Sequence, residues 1–323
     1  MRILITGISG CIGAATATHL LKNGVERVVG VSRRNDLSRI CESLRDQVVG
    51  ITCDITDATE VNQAIAEYEP SHIIHLAAFQ TPDCQANPLV GMDVNVLGTV
   101  HLFRAASQLK ESLQRFVFAS SCGVYGPRTM YPQTTVAEDV PFFPPNLYGF
   151  WKVAGEGAAQ AFHSETGVPT VSLRPATTYG PGRDQGMTSA ATTALKAVSL
   201  DAPFAMPYDG REHYSFVDDV GAAFAHAAID AFSGYGVFNV PGVTCSVPDY
   251  LKMIQEVAEE MGITHRTDLT IAADAVDFPF ICDLDQTAIV NAFPNTPRTS
   301  LRRGIEKSLQ RFQQLAAKGQ LAI

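Results

Sequence analysis

The chain opens on a short apolar run, Ile3-Leu4-Ile5, that breaks at Thr6 into Gly7, Gly10 and Gly13. A continuous apolar run of this length with β-branched residues predicts a strand buried on both faces of a parallel sheet. Comparable runs recur at Arg27–Val31, Val48–Thr52, Ser71–Leu76, Arg115–Ala119 and Val168–Leu173. Helical segments separate them. Ala14–Asn23 stops at Gly24, Asp57–Tyr68 follows the third strand, and Val90–Lys110 forms one long segment. A further helix carries Tyr148 and Lys152 and continues through residues 153–166. Thr129–Pro145 is rich in proline and reads as a loop over the site. Beyond residue 174 the pattern is mixed. Helices are expected at Ser189–Ser199, from a cap at Asp218 or Asp219 to about Phe232, at Val247–Met261 and at Leu301–Ala316, with a strand at Val237–Val240 and strand-like pieces in 203–217. Strands alternating with helices predict an α/β fold: a doubly wound parallel sheet with a smaller mixed C-terminal lobe. Residues 1–174 would form the sheet domain, with about 212–242 returning to it, and 175–323 would supply mainly the lobe.

Candidate chemistry starts at the first turn. The spacing G-x-x-G-x-x-G lets the backbone turn sharply and approach a phosphate, while the next helix aims its N-terminal N–H groups at that anion. Gly7, Gly10, Cys11, Ile12 and Gly13 are therefore candidate dinucleotide contacts. A site selective for NAD usually ends the second strand with a carboxylate for the ribose 2′-OH. Here Ser32, Arg33 and Arg34 stand in that place. Two guanidiniums suit a 2′-phosphate, so NADP(H) is favoured, with NAD(H) the alternative. Asp54, beside Ile55, accepts from an adenine amino group or caps the following helix. Leu76, Ala77 and Ala78 end the fourth strand, where small residues let backbone lie against a dinucleotide. Asn95 is an unusual helix-interior residue, expected to bond a neighbouring loop and counted among the candidate cofactor contacts. His72 and His75 have no ligand-spaced neighbours and read as structural, and no metal site is expected.

Bulk properties narrow the classes. The 323 residues are 46% hydrophobic and 18% charged, enough for a substantial core. A net charge of −9 gives no electrostatic reason to expect nucleic acid or an anionic membrane as partner. No apolar run reaches spanning length, and no secretory signal is expected because a strand starts at residue 2 or 3. Seven scattered cysteines without a C-x-x-C pair suit buried thiols in a reducing cytoplasm.

The segments TGISGCIG, CDITD, HLAA, NVLGT, SSCGVYG, YGFWK and LRPATTYGPG occur in order along nearly the whole chain. In this combination the chain resembles the extended short-chain dehydrogenase/reductase family. The resemblance implies a Rossmann domain, a catalytic set of Ser121, Tyr148 and Lys152, and cofactor contacts that also include Ser120, Arg174 and Pro175. It also implies a homodimer paired through the segments around 90–110 and 147–165. Tyr148 and Lys152 lie four apart on one helix face. Bringing a phenol from a pKa of about 10 toward 7 requires roughly 4 kcal/mol. One ammonium at about 4 Å contributes about 4 kcal/mol at an effective dielectric of 20, so Lys152 is expected to lower the Tyr148 value. Ser121 would hold the substrate oxygen.

Three departures shape the functional expectation. Cys122 and Gly123 occupy positions where similar dehydratases carry an Asp-Glu pair, which disfavours dehydration. Thr177 stands where many nucleotide-sugar members place an Asn on the diphosphate. The Ser32-Arg33-Arg34 stretch is similar to that of NADP-using members. Ser121, Cys122, Thr177, Arg183 and Arg211 are the candidate substrate contacts. The leading expectation is hydride transfer to or from a secondary alcohol or ketone of a sugar-like or polyol small molecule. A sugar or nucleotide-sugar epimerase is the alternative, and a non-catalytic dinucleotide sensor the minor one.

Overall fold

In a computed structural model, the structure describes residues 1–264, 266, 268–277 and 281–323. The strands in chain order are β1 (Ile3–Thr6), β2 (Val28–Ser32), β3 (Val48–Thr52), β4 (His72–His75), β5 (Arg115–Ala119), β6 (Thr170–Arg174), β7 (Thr177–Tyr179), β8 (Phe204–Asp209), β9 (Arg211–Phe216), β10 (Tyr235–Asn239), β11 (Val243–Ser246) and β12 (Leu269–Asp277). Seven of them form one parallel sheet in the order β10-β6-β5-β4-β1-β2-β3. The chain runs outward from β1 to β3 and then restarts at β4 on the other side of β1. A crevice therefore opens at the carboxyl ends of β1 and β4. The late strand β10 closes the far edge by pairing with β6, Tyr235 opposite Thr170.

Side-chain alternation explains the unbroken apolar runs. Ile3, Ile5, Ile74 and Val117 bury into one face of the sheet, while Leu4, Ile73, Phe116 and Phe118 bury into the other. Helices cover both faces, so no strand position needs to be polar. They are α1 (Cys11–Lys22), α2 (Ala58–Tyr68), α3 (Thr81–Ala86), α4 (Pro88–Met92), α5 (Gly98–Ser107), α6 (Leu147–Thr166), α7 (Ala190–Ser199), α8 (Val217–Ile229), α9 (Val247–Glu260), α10 (Thr287–Ala292) and α11 (Leu301–Ala317). The lobe has two small sheets, β11-β9-β7 and β12-β8. Its core centres on Tyr179, Leu195, Tyr214, Tyr250 and Ile305, with Tyr214 and Tyr250 stacked at 4.4 Å.

The long helical segment expected over Val90–Lys110 is present as α4, a π-helical turn at Asp93–Leu97 and α5 in one unbroken run, ending at Ser107. Several local expectations are corrected. Asp57, not Asp54, caps α2, accepting from the Thr59 and Glu60 amides at 2.7 and 3.2 Å. Asp54 instead accepts from Thr56 within its own turn. Asp219 does not cap α8 but accepts from the backbone N–H and hydroxyl of Thr299. Cys41 is exposed rather than buried. Among the described residues no helix is long and apolar enough to cross a membrane.

Candidate active site

The glycine turn connects β1 to α1. Gly7 has φ of +74°, and its amide donates to Val31 O at 2.8 Å across the sheet. A Cβ at Gly13 would lie 2.3 Å from Gly7 O, so a side chain there would push the turn apart. Gly10 precedes α1 without a capping side chain, and the first turn of α1 carries no acid. Its N–H groups are thus left for an anion. Ser32, at the end of β2, is buried, and its hydroxyl has no hydrogen-bond partner in the ligand-free protein. An orphaned hydroxyl at a strand end, beside an uncapped helix, fits a dinucleotide's sugar and phosphates. Arg33 and Arg34 are exposed next to it, with the Arg33 guanidinium 5.3 Å from the centre of the Phe79 ring.

Hydrogen bonds set the depth of the neighbouring strand end. The Leu76 and Ala77 amides both donate to Thr6 Oγ1 at 3.2 Å, which holds the Leu76-Ala77-Ala78 backbone against the glycine turn. His75 bridges Thr6 Oγ1 at 2.7 Å and Thr99 Oγ1 at 3.0 Å. Asn95 does bond a loop: its Oδ1 accepts from Phe79 N at 2.8 Å and its Nδ2 donates to Phe79 O at 3.0 Å. That engagement corrects its expected place among the cofactor contacts, because both ends of the amide are used inside the protein. The Ile55 side chain likewise packs into the core against Gly98 instead of facing the crevice.

Ser121 ends the extension of β5, and Tyr148 stands in the first turn of α6. The Ser121 hydroxyl accepts from Gly123 N at 3.0 Å and shares the space over Gly123 with the Tyr148 ring. Lys152, one helical turn on, is buried with Nζ 5.6 Å from the Tyr148 ring centre and 5.1 Å from that of Phe118. Its ammonium donates to Ala119 O at 2.6 Å, and burial pushes its pKa down to about 8. Tyr148 departs from expectation. Burial holds its pKa above the ordinary phenol value, while the Ser121 hydrogen bond and the Arg183 charge pull the other way. Burial outweighs both pulls and keeps the phenol protonated.

Other expected contacts separate from this set. Arg174 is buried in a bidentate ion pair, Nε to Glu156 Oε1 and Nη2 to Glu156 Oε2, both at 2.7 Å. Its Nη1 donates to the Tyr125 hydroxyl and Glu138 O, so four of its five N–H donors are engaged inside the protein. Ser120 joins the same cluster by donating to Glu156 at 2.5 Å. Glu156 lies one turn beyond Lys152 on α6, a spacing that could have flagged it in the sequence. The Cys122 thiol is buried and donates to Arg174 O, and its backbone N–H donates to Pro175 O. Burial pushes that thiol far above the usual range, so it offers no acid or base to a substrate. Thr177 is buried and donates to Glu212 at 2.6 Å. Arg211 is exposed and held bidentately by Asp283 at 3.0 and 3.1 Å. Arg183 does reach the crevice, where its charge acts on both Tyr148 and the Cys11 thiol of the glycine turn. Its Nη1 donates to Gln80 and its Nη2 to Thr188. Arg39, unmarked in the sequence, donates to Ser9 O at 3.1 Å and pairs with Asp184 at 3.0 Å, tying the lobe to the glycine turn.

A phosphate-binding turn on a doubly wound sheet, with a tyrosine, a serine and a lysine at the neighbouring strand end, defines a nicotinamide-dinucleotide-dependent enzyme. The profile of the NAD dependent epimerase/dehydratase family matches residues 3–240. The chain belongs to that family, of the extended short-chain dehydrogenase/reductase type. It is 32% identical over 333 aligned positions to the UDP-glucose 4-epimerase of Mycolicibacterium smegmatis, covering 97% of this chain and 99% of the relative. It is 25% identical to dTDP-glucose 4,6-dehydratase 1 of Escherichia coli, covering 96% and 92%. Among solved structures, the Thermus thermophilus UDP-glucose 4-epimerase in complex with NAD superposes with a TM-score of 0.80 at 25% identity, over 97% of this chain and 99% of that one.

Proposed function

We propose that this enzyme moves a hydride between a nicotinamide dinucleotide and a secondary alcohol or ketone of a sugar-like or polyol substrate. The observation that carries this reading is the Ser121 hydroxyl and the Tyr148 ring meeting over Gly123, with Lys152 buried one turn behind. A bound oxidised nicotinamide supplies the hydride acceptor and a positive charge. In the oxidising direction Tyr148 acts as its phenolate, Oη taking the hydroxyl proton of the substrate while Ser121 Oγ orients the same oxygen, and in the reducing direction the protonated phenol gives that proton back. Lys152 lowers the cost of the phenolate through its buried ammonium, which Ala119 O holds in place. The exposed Arg33 and Arg34 and the orphaned Ser32 hydroxyl support NADP(H) as the preferred carrier. Dehydration is disfavoured because the buried Cys122 thiol and Gly123 offer no acid-base pair.

Epimerisation of a sugar or nucleotide sugar is the second reading, in which the hydride returns to the opposite face. The full-length similarity to the mycobacterial epimerase favours it. The exposed apolar side chains Leu89, Leu97, Leu147 and Phe150 on α4, the π-turn and α6 support a homodimer through these helices. The test is to release and identify any nucleotide carried through purification. A stoichiometric retained dinucleotide supports the epimerase. An empty protein that binds NADPH more tightly than NADH supports net oxidoreduction and the arginine reading, whereas tighter NADH overturns the cofactor preference. Tyr148→Phe is expected to lower turnover by about 10²–10⁴-fold with cofactor affinity kept. Near-normal turnover would remove Tyr148 from the chemistry.

A further inference from the structure

The segment between β7 and α7 is pinned to the sheet domain at two points. It leaves the lobe core at Tyr179 and returns to it at Ala190. Gly180, Gly182 and Gly186 turn it, with φ of +119°, +86° and +90°. At one point it meets the glycine turn. A Cβ at Gly182 would lie 3.5 Å from Cys11 Cβ and 3.5 Å from Arg39 Cδ, so the backbone there rests against the first residue of α1. Arg39 donates through Nη1 to Ser9 O at 3.1 Å and through Nη2 to Asp184 Oδ2 at 3.0 Å. Lys196, on α7, donates to the other carboxylate oxygen, Asp184 Oδ1, at 2.7 Å. At the second point Arg183 Nη1 donates to Gln80 Oε1 at 3.0 Å, while its Nη2 donates to Thr188 at 3.2 Å. The glycine turn follows β1 and Gln80 follows β4, two paired strands whose carboxyl ends flank the crevice. The segment therefore spans the crevice from one side to the other.

The Arg39–Asp184 pin differs from the brace on α6 in its exposure. Its side chains are 35% and 36% exposed, whereas those of Arg174 and Glu156 are 2% and 5% exposed. An ion pair in contact with water is weak and is screened by salt. Such a pair suits a contact that opens and closes, where a buried pair holds fast because separating it leaves a charge unpaired in the core. We infer that residues 180–188 form a strap over the bound dinucleotide, latched by Arg39 and Asp184, and that opening of this latch limits how fast the cofactor leaves. The strap acts on the cofactor alone, whether the hydride is carried off or returned to the substrate.

The experiment uses the full-length protein loaded with NADPH or NADH, whichever binds more tightly. It is mixed rapidly with an excess of the oxidised form, and the fluorescence of the bound reduced nicotinamide reports release. Asp184→Asn decides the matter because two effects oppose in sign. Removing a negative charge near an anionic cofactor by itself slows release. Breaking the latch speeds it. Asp184→Asn is expected to release the cofactor about five- to tenfold faster than the unaltered protein. Arg39→Gln is also expected to speed release, and the double variant to be no faster than the faster single one, because both substitutions break the same contact. An unchanged or slower release in Asp184→Asn overturns the inference, and so does a double variant whose acceleration is the product of the two. A second measurement needs no variant. Amide hydrogen exchange over 180–188 in the unaltered protein is expected to slow when the cofactor is bound. Exchange there that is the same with and without cofactor overturns the strap.

Discussion

Two glutamates, Glu156 and Glu212, are buried at 4% and 0% exposure, yet their surroundings give them different characters. Glu156 lies on α6 in the sheet domain, one turn beyond Lys152. Both of its oxygens are gripped by Arg174, and Ser120 donates a third hydrogen bond. Glu212 lies in the lobe and has only hydroxyls for partners, so burial pushes its pKa up to about 7. A buried carboxyl with a bidentate guanidinium is a fixed ion pair that braces structure. One with hydroxyls alone remains a proton-binding group in the neutral range. The first ties α6 to the ends of β5 and β6, directly beneath Lys152. The second keeps an acid inside the lobe among hydroxyls alone.

The sharpest way to break this contrast is to remove the braced partner. Glu156→Ala leaves the Arg174 charge buried and unpaired, and is expected to cost about 3–5 kcal/mol in chemical denaturation. A loss below about 1 kcal/mol would show that the pair is not structural.

The lobe acid is tested through pH. The folded-state pKa of Glu212, about 7, lies above its ordinary value of 4.5, so the folded protein binds the extra proton. That contribution is complete below pH 4.5 and is lost as pH rises through 7. Over this window the unaltered protein is expected to lose about 3 kcal/mol of stability from this group. Glu212→Gln is expected to flatten that part of the pH–stability curve. An unchanged slope in the variant would place the titration elsewhere.

A smaller change sharpens the same point. Thr177→Val removes a donor that lowers the Glu212 pKa, so the midpoint is expected to move to higher pH, with about 1 kcal/mol of stability lost. The smallest effect belongs to the surface. Arg211→Ala breaks an ion pair whose arginine side chain is 57% exposed, and thermal melting is expected to register no more than about 1 kcal/mol. A larger loss would mean that Asp283, which Arg128 also engages, depends on both cations.

Much of the sheet half was legible because its signals are local. The Val48–Thr52 and Arg115–Ala119 strands lie where their apolar runs placed them. Asn95 bonds a loop, as an amide inside a helix suggested. The helical segment expected over Val90–Lys110 is there, but helical periodicity does not distinguish an α-turn from the π-turn at Asp93–Leu97. Asp219 looked like a cap because it stands at a helix start, but Thr299, 80 residues away, claims its carboxylate.

By itself the sequence determined what depends on neighbours in the chain. That covers the strand and helix alternation, the glycine turn, and the Tyr148 and Lys152 spacing that places both on one helix face. Only the tertiary structure decided which groups are charged, paired or exposed. Arg174 changed from an expected cofactor contact to a partner of Glu156, 18 residues away, and Thr177 closed onto Glu212, 35 residues away. The Tyr148 phenol is held up by burial where a nearby lysine alone would have brought it down. Ionisation depends on desolvation and on partners brought together by folding, and neither is written in any local stretch of the chain.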